Sequence, residues 1–397
     1  MKNPIYLCLA HMGGGEQRYI QEAFDTNWVV PLGPNVNGFE EDLEHFLQQG
    51  SAPTPAVHVC ALSAGTAALH LAMVLLDIKA GDEVICQSFT FAASANPITY
   101  QGATPIFVDS EADTWNMSPQ LLREAIEDRM AKTGKKPKAI VVVHLYGMPA
   151  KMEEIMEIAA HYDIPIVEDA AEALGSSYKG QRCGTFGEYG ILSFNGNKMI
   201  TTGGGGAIVC KTTEEKQRAL FFATQARENY PYYQHEHIGF NYRLSNISAG
   251  IGRGQMEVLD QHIEHHQHLA NLYAKAFADH PYITLHTNPD TASSSNYWLN
   301  TITLSEDAPC STDVLREALA EEKIESRPLW KPMHLQPVFK NAPAYVNGVS
   351  EDLFKRGLCL PSGPWVTEED LQRIVDICRA TLADRKSTRL NSSHIQK

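Results

Sequence analysis

The sequence predicts an α/β fold with a large, doubly wound domain and a smaller C-terminal α+β domain. Seven short apolar runs rich in Val and Ile occur between residues 56 and 211, and they lack polar alternation. Such runs are typical of strands buried on both faces of a mostly parallel sheet that helices cover. Segments with helical spacing of apolar residues follow several of these runs, which indicates repeated strand–helix units. A mostly parallel, seven-stranded sheet with helices on both faces is therefore expected.

The predicted elements alternate along the first half of the chain. The predicted strands cover residues 56–62, 83–87, 104–109, 138–146, 164–169, 190–194 and 206–211. Apolar residues at helical spacing follow the first four strands, over residues 64–77, 91–101, 118–130 and 150–162. This alternation assigns residues 1–245 to the large domain.

The pattern changes after residue 245. Residues 245–280 read as one long helix, with Ser245 or Asn246 as its N-cap. The remaining predicted elements are a half-exposed strand at 296–305 and helices at 312–322 and 368–383. We therefore expect residues 246–384 to form a connecting helix and a small α+β domain. Residues 385–397 lose all apolar periodicity and are interpreted as a non-native or disordered tail.

Charge and composition limit the classes of partner. The chain has 33 Lys and Arg against 47 Asp and Glu, a formal net charge of −14, which disfavours binding to nucleic acid or to an anionic membrane surface. Its eight cysteines are scattered, mostly inside apolar runs, and show no paired spacing, which favours a reducing compartment. Neither a secretion signal nor an apolar segment of membrane-spanning length is recognisable. A soluble, cytoplasmic protein is expected.

The first candidate site feature is a strand–SAGT–helix sequence. Ser63, Gly65 and Thr66 stand where the first strand ends and a helix begins. The free N–H groups of a helix N-terminus, together with small hydroxyls, can bind a phosphate. Taken alone, Gly and Thr at such a turn can also serve the backbone conformation only.

The second feature is Asp169, at the carboxyl end of the apolar run IPIVED. Ligands of open α/β sheets bind at that edge of the sheet. Because side chains alternate along a strand, only one of Glu168 and Asp169 can face the crevice. Taken alone, Asp169 could equally cap a helix over residues 170–174.

The third and fourth features are a lysine and an aromatic ring. Lys198 closes the segment SFNGNK and is followed by the glycine-rich segment TTGGGG, and a lysine so placed can form an imine with a carbonyl compound. A surface loop with glycines for turns would look similar. Phe91 lies at another strand-to-helix edge, where its ring could stack on a flat heterocycle or simply belong to the core.

Together the four features describe one ligand, pyridoxal 5′-phosphate. Its aldehyde forms an imine with a lysine, a carboxylate keeps its ring nitrogen protonated, a helix N-terminus binds its phosphate and an aromatic face stacks on its ring. Lys198 and Asp169 are 29 residues apart, which allows a neighbouring strand to bring the lysine across the ring from the carboxylate.

At this point the chain resembles a known family, the DegT/StrS-type nucleotide-sugar aminotransferases, which have the fold-type I aminotransferase architecture. The resemblance covers nearly all of the chain except the tail. Its motifs here are GTAALHLAM, SFTFAASANPI, VEDAAEALGS, SFNGNKMITTGGGG, GFNYRLSNISAGIG and RPLWKPMHLQPVF.

The resemblance implies roles for individual residues. Lys198 is the lysine that forms the imine, Asp169 is the partner of the ring nitrogen, and Phe91 stacks on the ring. The groups that hold the phosphate are Gly65, Thr66 and Ser193. In addition, Asn241 is expected to reach the phosphate of the cofactor bound by a second subunit, in a homodimer with shared active sites. Glu172 takes the place beside the phenolic oxygen of the cofactor.

The resemblance also implies a reaction and a substrate class. An amino group passes from glutamate to the 4-keto group of a nucleotide-linked 4-keto-6-deoxy hexose, for surface glycan biosynthesis. The WKPMH variant is similar to the branch that acts on UDP-linked sugars of the N-acetylglucosamine type, with GDP-perosamine synthases as the alternative. Sugar dehydratases of the family carry His in place of the lysine, so Lys198 favours transamination. A non-catalytic regulator is a further alternative, which the Lys–Asp pair and the net charge disfavour.

The same motif gives the expected substrate-binding residues. Lys331 and His334 would lie over the sugar or its diphosphate, and Trp330 would lie against a ring. Trp28, in the segment 26–34, could close the pocket or could pack in the core.

A group of histidines could suggest a metal site. They are His262, His265, His266 and His268, with His235 and His237 upstream. They lie among Gln and Glu on the predicted long helix, without Cys or Asp to complete a ligand set. We therefore interpret them as a solvated helix face and expect no bound metal.

Overall fold

The computed structural model describes residues 3–52 and 54–383. Residue 384 and the segment 385–397, interpreted above as a non-native or disordered tail, lie outside the described residues. Within the described part of the chain, no helix is both long and apolar enough to cross a membrane.

Fifteen strands occur in the described residues, and they form three sheets. They are β1 (His58–Leu62), β2 (Glu83–Gln87), β3 (Thr104–Val108), β4 (Ala139–Val143), β5 (Ile166–Asp169), β6 (Ser177–Tyr178), β7 (Gln181–Arg182), β8 (Tyr189–Ser193), β9 (Gly206–Cys210), β10 (Ile283–Leu285), β11 (Ser293–Ser294), β12 (Asn300–Leu304), β13 (Arg327–Pro328), β14 (Ala344–Tyr345) and β15 (Gly357–Leu360).

The large sheet has the order β1-β9-β8-β5-β4-β2-β3-β14. Strand β9 is antiparallel to β1 and β8, and the other pairs are parallel, as the apolar runs predicted. The sheet has eight strands, however, and not the predicted seven. The additional strand, β14, has only two residues and pairs with β3 at the sheet edge, so it carries no periodic pattern that sequence analysis could detect.

The helices of the described chain cover both faces of this sheet and continue into the C-terminal part. They are α1 (Glu16–Asp25), α2 (Pro34–Gln48), α3 (Gly65–Leu75), α4 (Asn96–Tyr100), α5 (Pro119–Thr133), α6 (Met152–Tyr162), α7 (Thr213–Ala223), α8 (Asn246–Met256), α9 (Leu259–Phe277), α10 (Thr312–Glu321), α11 (Val349–Arg356) and α12 (Glu368–Thr381).

Local sequence explains several helix ends. Ser118 caps α5 by accepting a hydrogen bond from the Leu121 N–H, and Gly134 ends that helix in the left-handed region at φ +70°. Thr212 and Thr367 form capping boxes at the starts of α7 and α12.

The long helix predicted over residues 245–280 is wrong in one respect, because the structure divides it into α8 and α9. Ser245 is the N-cap, as expected. Val258 leaves the helical conformation and becomes the N-cap residue of the second helix. The break lets α8 pack on α1 and α2, while α9 packs on α12 and β10. Since both halves are amphipathic, the sequence pattern alone did not reveal the break.

A four-stranded sheet of order β10-β12-β15-β13 lies in the C-terminal part. The prediction of a half-exposed strand near Trp298 is wrong, since all five residues of β12 are buried. Strand β12 pairs with a neighbour on each side, and its side chains join a core with α9, α10 and α12. Thr and apolar residues alternate along β12, a pattern that is typical of a strand with one solvent-exposed face.

Candidate active site

A cavity of about 450 Å³ opens at the carboxyl ends of the strands of the large sheet. The ends of β4, β5 and β8 contribute to its lining, together with the loop after β2 and the start of α3. Eight of the predicted site residues line this one cavity: Gly65, Thr66, Phe91, Asp169, Glu172, Ser193, Lys198 and Trp330. Parallel strands bring their carboxyl ends to one edge, which is why residues distant in sequence meet here.

One end of the cavity is formed by the N-terminus of α3. Ala64 is the N-cap, and its methyl side chain cannot accept a hydrogen bond, while the first intrahelical bond is made by Ala68. The preceding backbone N–H groups therefore remain available to an anion. A Cβ on Gly65 would lie 3.0 Å from the Cβ of Ser193, so the glycine allows this hydroxyl to approach the helix start. This end of the cavity has the shape and chemistry of a phosphate site.

Asp169 lies on the floor of the cavity and is almost fully buried. One carboxylate oxygen accepts a hydrogen bond of 2.6 Å from the Ser94 hydroxyl, and the other accepts one of 3.1 Å from the Ala171 N–H. Residues 170–174 form turns and not a helix, so the alternative of a helix cap is wrong. The Asp169 carboxylate is thus fixed by donors and faces the cavity.

The neighbouring Glu168 faces the opposite side of β5, as strand alternation requires. Its carboxylate accepts hydrogen bonds from His144 Nε2 at 2.7 Å and from the Phe186 N–H at 2.8 Å. Glu168 therefore bonds groups in the protein interior, and Asp169 is the one of these two acids that lines the cavity.

Lys198 enters the cavity from the turn after β8. Its Nζ lies 3.6 Å from Oε1 of Glu172 and 4.1 Å from the ring centroid of Trp298. The side chain is only 14 % exposed. The indole N–H of Trp298 donates a hydrogen bond of 2.6 Å to the carbonyl of Asn197, which orders the turn that carries the lysine.

Glu172 is the second carboxylate of the cavity. Burial raises the pKa of Glu172, and the nearby Lys198 ammonium and the Tyr146 N–H oppose that shift. The Tyr146 N–H donates to Oε2 at 2.6 Å. The carboxyl group is thereby held beside the lysine, on the same side of the cavity.

Aromatic residues form the outer part of the cavity. Phe91 and Trp330 lie with their ring centroids 5.4 Å apart at a tilt of 50°. Trp298 also lines the cavity, and sequence reasoning missed it. Its only available signal was an aromatic residue inside a predicted strand, and such a residue far more often belongs to the core.

Four predicted site residues do not line this cavity. Trp28 is exposed in the turn after α1, and Asn241 is exposed and forms a backbone bridge with Thr224. Lys331 is exposed beside Trp330, and the Nδ1 atom of His334 lies 2.7 Å from the Ser88 hydroxyl. The structure therefore separates these four residues from the eight that share the cavity.

The interpretation of the histidine group as a solvated helix face is wrong for two of its members. His262 and His266 are buried on α9. Their Nδ1 atoms bond the backbone carbonyls of Met199 and Tyr297, at 3.4 and 3.0 Å. Helical periodicity placed these residues on one face but did not show that the face packs against the protein.

The fold and cavity define a class of protein, a pyridoxal-phosphate-dependent enzyme with the fold-type I architecture. The residues fit that cofactor: free N–H groups and hydroxyls for its phosphate, a buried carboxylate for its ring nitrogen and a largely buried amine for its aldehyde.

Comparisons with known proteins identify the family. The model of the DegT/DnrJ/EryC1/StrS aminotransferase family matches residues 11–379, and the chain belongs to this family. The chain is 49% identical over 382 residues to EpsN of Bacillus subtilis (strain 168), named as a candidate pyridoxal phosphate-dependent aminotransferase, with 95% of each chain covered. It is 38% identical over 377 residues to the GDP-perosamine synthase of Escherichia coli O157:H7, covering 95% of this chain and 97% of that protein.

A solved structure supports the same assignment. A DegT DnrJ EryC1 StrS aminotransferase from Brucella abortus superposes with a TM-score of 0.85 at 29% identity, over 93% of this chain and 95% of that one. The protein is therefore a pyridoxal-phosphate-dependent sugar aminotransferase.

Proposed function

We propose that the protein transfers the amino group of glutamate to the 4-keto group of a nucleotide-linked 4-keto-6-deoxy hexose. The observation that carries the proposal is that Lys198 and Asp169 line one cavity whose far end is a helix N-terminus suited to phosphate. The aminated sugar would be a precursor for surface glycan synthesis in the cytoplasm.

Each residue of the cavity has a separate role in the proposed reaction. Pyridoxal phosphate, when bound, supplies an electron-withdrawing ring that takes up the electrons released at the α-carbon of the donor. The Asp169 carboxylate holds a proton on the ring nitrogen, and the Ser94 hydroxyl keeps that carboxylate in place. The Lys198 amine, once the donor amine has displaced it from the cofactor aldehyde, would remove the α-proton of the donor as a general base and would then deliver a proton to the former aldehyde carbon as a general acid. The N–H groups of Gly65 and Thr66 orient the phosphate.

The sugar is expected at the outer, aromatic part of the cavity. Trp330 and Phe91 offer flat apolar surfaces to a sugar ring and the cofactor. The exposed Lys331 follows Trp330 directly, and the half-buried His334 comes three residues after Lys331. There, positive charge and hydrogen-bond donors could meet a diphosphate. Trp28 and the segment 26–34 would close this side.

For the nucleotide, the sequence motif favours a UDP-linked sugar derived from N-acetylglucosamine. The similarity to a GDP-perosamine synthase supports a second candidate, a GDP-linked keto sugar. The two candidates share the reaction at the keto carbon and differ in the nucleotide and in the substituent at C2.

We also propose a homodimer with shared active sites. Asn241 does not line the cavity of its own chain, and the segment that carries it is fixed by a hydrogen bond of 2.7 Å from the Ser63 N–H to the Tyr242 carbonyl. The preceding loop exposes large apolar surfaces, with Tyr233 at 78 % and Ile238 at 87 %. Such surfaces are typical of interfaces between proteins.

A mixed-dimer experiment tests the shared site. Lys198→Ala and Asn241→Ala chains, each inactive or impaired alone, are co-expressed with different tags. Random pairing should restore about a quarter of the wild-type activity, because one site of each mixed dimer combines two intact contributions. If Asn241 acts in its own chain, no activity returns.

The reaction itself is tested with a panel of UDP-, GDP- and dTDP-linked 4-keto-6-deoxy sugars. Each is incubated with glutamate, and the product is identified by NMR. The proposal predicts an amine at C4 for at least one sugar, no product with Lys198→Ala, and an unchanged product with Lys179→Ala, in which an exposed lysine is lost. A deoxygenated product, or an amine formed by Lys198→Ala, would contradict it.

A further inference from the structure

Tyr146 is a buried residue outside the cavity whose two ends contact opposite parts of it. It follows β4, within the single helical turn Leu145–Gly147, and has φ +55°, a left-handed conformation that is rare for residues other than glycine. Its side chain is 2 % exposed. A strained residue that persists in a buried position is expected to be held by strong surroundings.

The backbone end of Tyr146 contacts the catalytic side. Its N–H donates a hydrogen bond of 2.6 Å to Oε2 of Glu172, whose other oxygen lies 3.6 Å from the Lys198 amine. Two residues earlier, the His144 N–H donates a hydrogen bond of 3.2 Å to the main-chain carbonyl of Asp169. This segment therefore bonds the Glu172 carboxylate and the backbone of Asp169.

The side-chain end contacts the outer wall. The Tyr146 hydroxyl accepts a hydrogen bond of 2.8 Å from the backbone N–H of Trp330. The two rings stack, with centroids 6.0 Å apart at 24°. The hydroxyl also lies near the thiol of the buried Cys359 on β15, the strand that pairs with β13 just before Trp330. Burial raises the pKa of Tyr146 well above its usual value, so the hydroxyl stays protonated.

We propose that Tyr146 is a positioning residue that sets the distance between the Trp330 wall and the Glu172–Lys198 side of the cavity. The inference rests on the proposed function, in which Trp330 receives the keto sugar. The Trp330 segment leaves the small sheet at β13, whereas Glu172 and Lys198 belong to segments that follow strands of the large sheet. Tyr146 bonds both parts, so it would control how well the larger substrate fits, and the donor amino acid would be little affected.

Tyr146→Phe tests the inference, because it removes the hydroxyl and keeps the ring and the backbone N–H. The partly buried backbone N–H of Trp330 then loses its acceptor, so the peptide that contains Trp330 should exchange amide hydrogen faster in the cofactor-free protein. Tyr273→Phe is the matched control, since Tyr273 is also fully buried and donates its hydroxyl to the Pro361 carbonyl at 3.0 Å. That control should not change exchange at Trp330.

The two half-reactions give the second measurement, in the cofactor-loaded enzyme. We expect Tyr146→Phe to raise the KM for the keto sugar about tenfold, the order of effect when a buried N–H loses its acceptor, with the glutamate half-reaction within about twofold of wild type. Unchanged exchange at Trp330, an equal loss in both half-reactions, or no change in either would overturn the inference. If the wild type aminates no sugar of the panel, the proposed function fails, whereas the exchange result still decides whether Tyr146 holds Trp330.

Discussion

The floor and the outer wall of the cavity are built in different ways. The floor consists of Gly65, Asp169, Ser193 and Lys198, which lie at the ends of sheet strands or in the short connections that follow them, and Asp169 is only 7 % exposed. The outer wall consists of Phe91 and Trp330, which lie on loops, and Phe91 is 54 % exposed. Strand ends are fixed by the ladders of the sheet, whereas loops depend on a few long-range contacts.

The difference suggests a division between chemistry and selectivity. Floor residues face groups that every substrate of the enzyme shares, so their loss should reduce turnover with any keto sugar. Wall residues face the part of the substrate that varies, so their loss should change KM and the preference among sugars.

Asp169→Asn tests the floor with the largest expected effect. The amide keeps the size of the side chain and an acceptor for the Ser94 hydroxyl, but it has no charge to hold a proton on the ring nitrogen. We expect kcat to fall about 10²- to 10³-fold with every accepted sugar, the range for losing one charge-stabilising group. Steady-state kinetics measures this, and the fully exposed Asp163, changed to Asn, is the control. A fall in kcat with only one sugar would contradict the proposed division between floor and wall residues.

Ser193→Ala tests the phosphate end of the floor. The loss of one hydrogen bond to an ionised phosphate should weaken binding of pyridoxal phosphate about tenfold. Titration of the cofactor-free protein, followed by absorbance, gives the dissociation constant. Ser350→Ala, which removes a buried hydroxyl that does not line the cavity, should leave the dissociation constant unchanged. Equal effects of the two variants would show that Ser193 acts only through stability.

Lys331→Ala tests the outer wall. An exposed ammonium beside Trp330 should contribute modestly to binding of a diphosphate, so the KM for the nucleotide sugar should rise about threefold with kcat unchanged. The effect should shrink in high salt, because screening weakens an exposed charge pair. A drop in kcat at every salt concentration would instead show that Lys331 acts in turnover, as the floor residues are expected to do.

Glu172→Gln produces the smallest effect, a change in the pH dependence of stability. Burial raises the pKa of Glu172 above its ordinary value of 4.5, so the folded state binds this proton more tightly than the unfolded state does. Wild-type stability therefore falls as pH rises from 4.5 through the raised pKa, and the variant lacks this loss.

The Tm of the cofactor-free variant, minus that of wild type, should increase with pH above 4.5, by roughly 1–2 °C. The lost contact with Lys198 changes the Tm difference by a similar amount at every pH, so the difference should still increase as the pH rises. A difference that decreases with pH would be incompatible with a raised pKa.

The sequence could bring the floor residues together in one cavity because its signals there are local. Gly65, Asp169 and Lys198 each stand at the end of a strongly apolar strand or in the turn after it, and parallel strands must bring such ends together. The predicted and observed positions of β2 agree at both ends, Glu83 and Gln87.

The contacts that hold the floor and the wall in place were harder to predict because they join distant segments. Trp298 is 101 residues from the Asn197 carbonyl that its indole bonds, and Tyr146 is 184 residues from Trp330. No periodic pattern marks such pairs. The break at Val258 and the strand β14 were missed for the same reason, since tertiary packing and not local pattern determines them.

The most direct test of the account is chemical trapping of the cofactor. The yellow holoenzyme is reduced with borohydride, digested and analysed by mass spectrometry, with Asp169→Asn treated in parallel. The account predicts the phosphopyridoxyl group on the peptide that contains Lys198 in both proteins. A label on another lysine, or an unlabelled protein that still forms aminosugar, would contradict it.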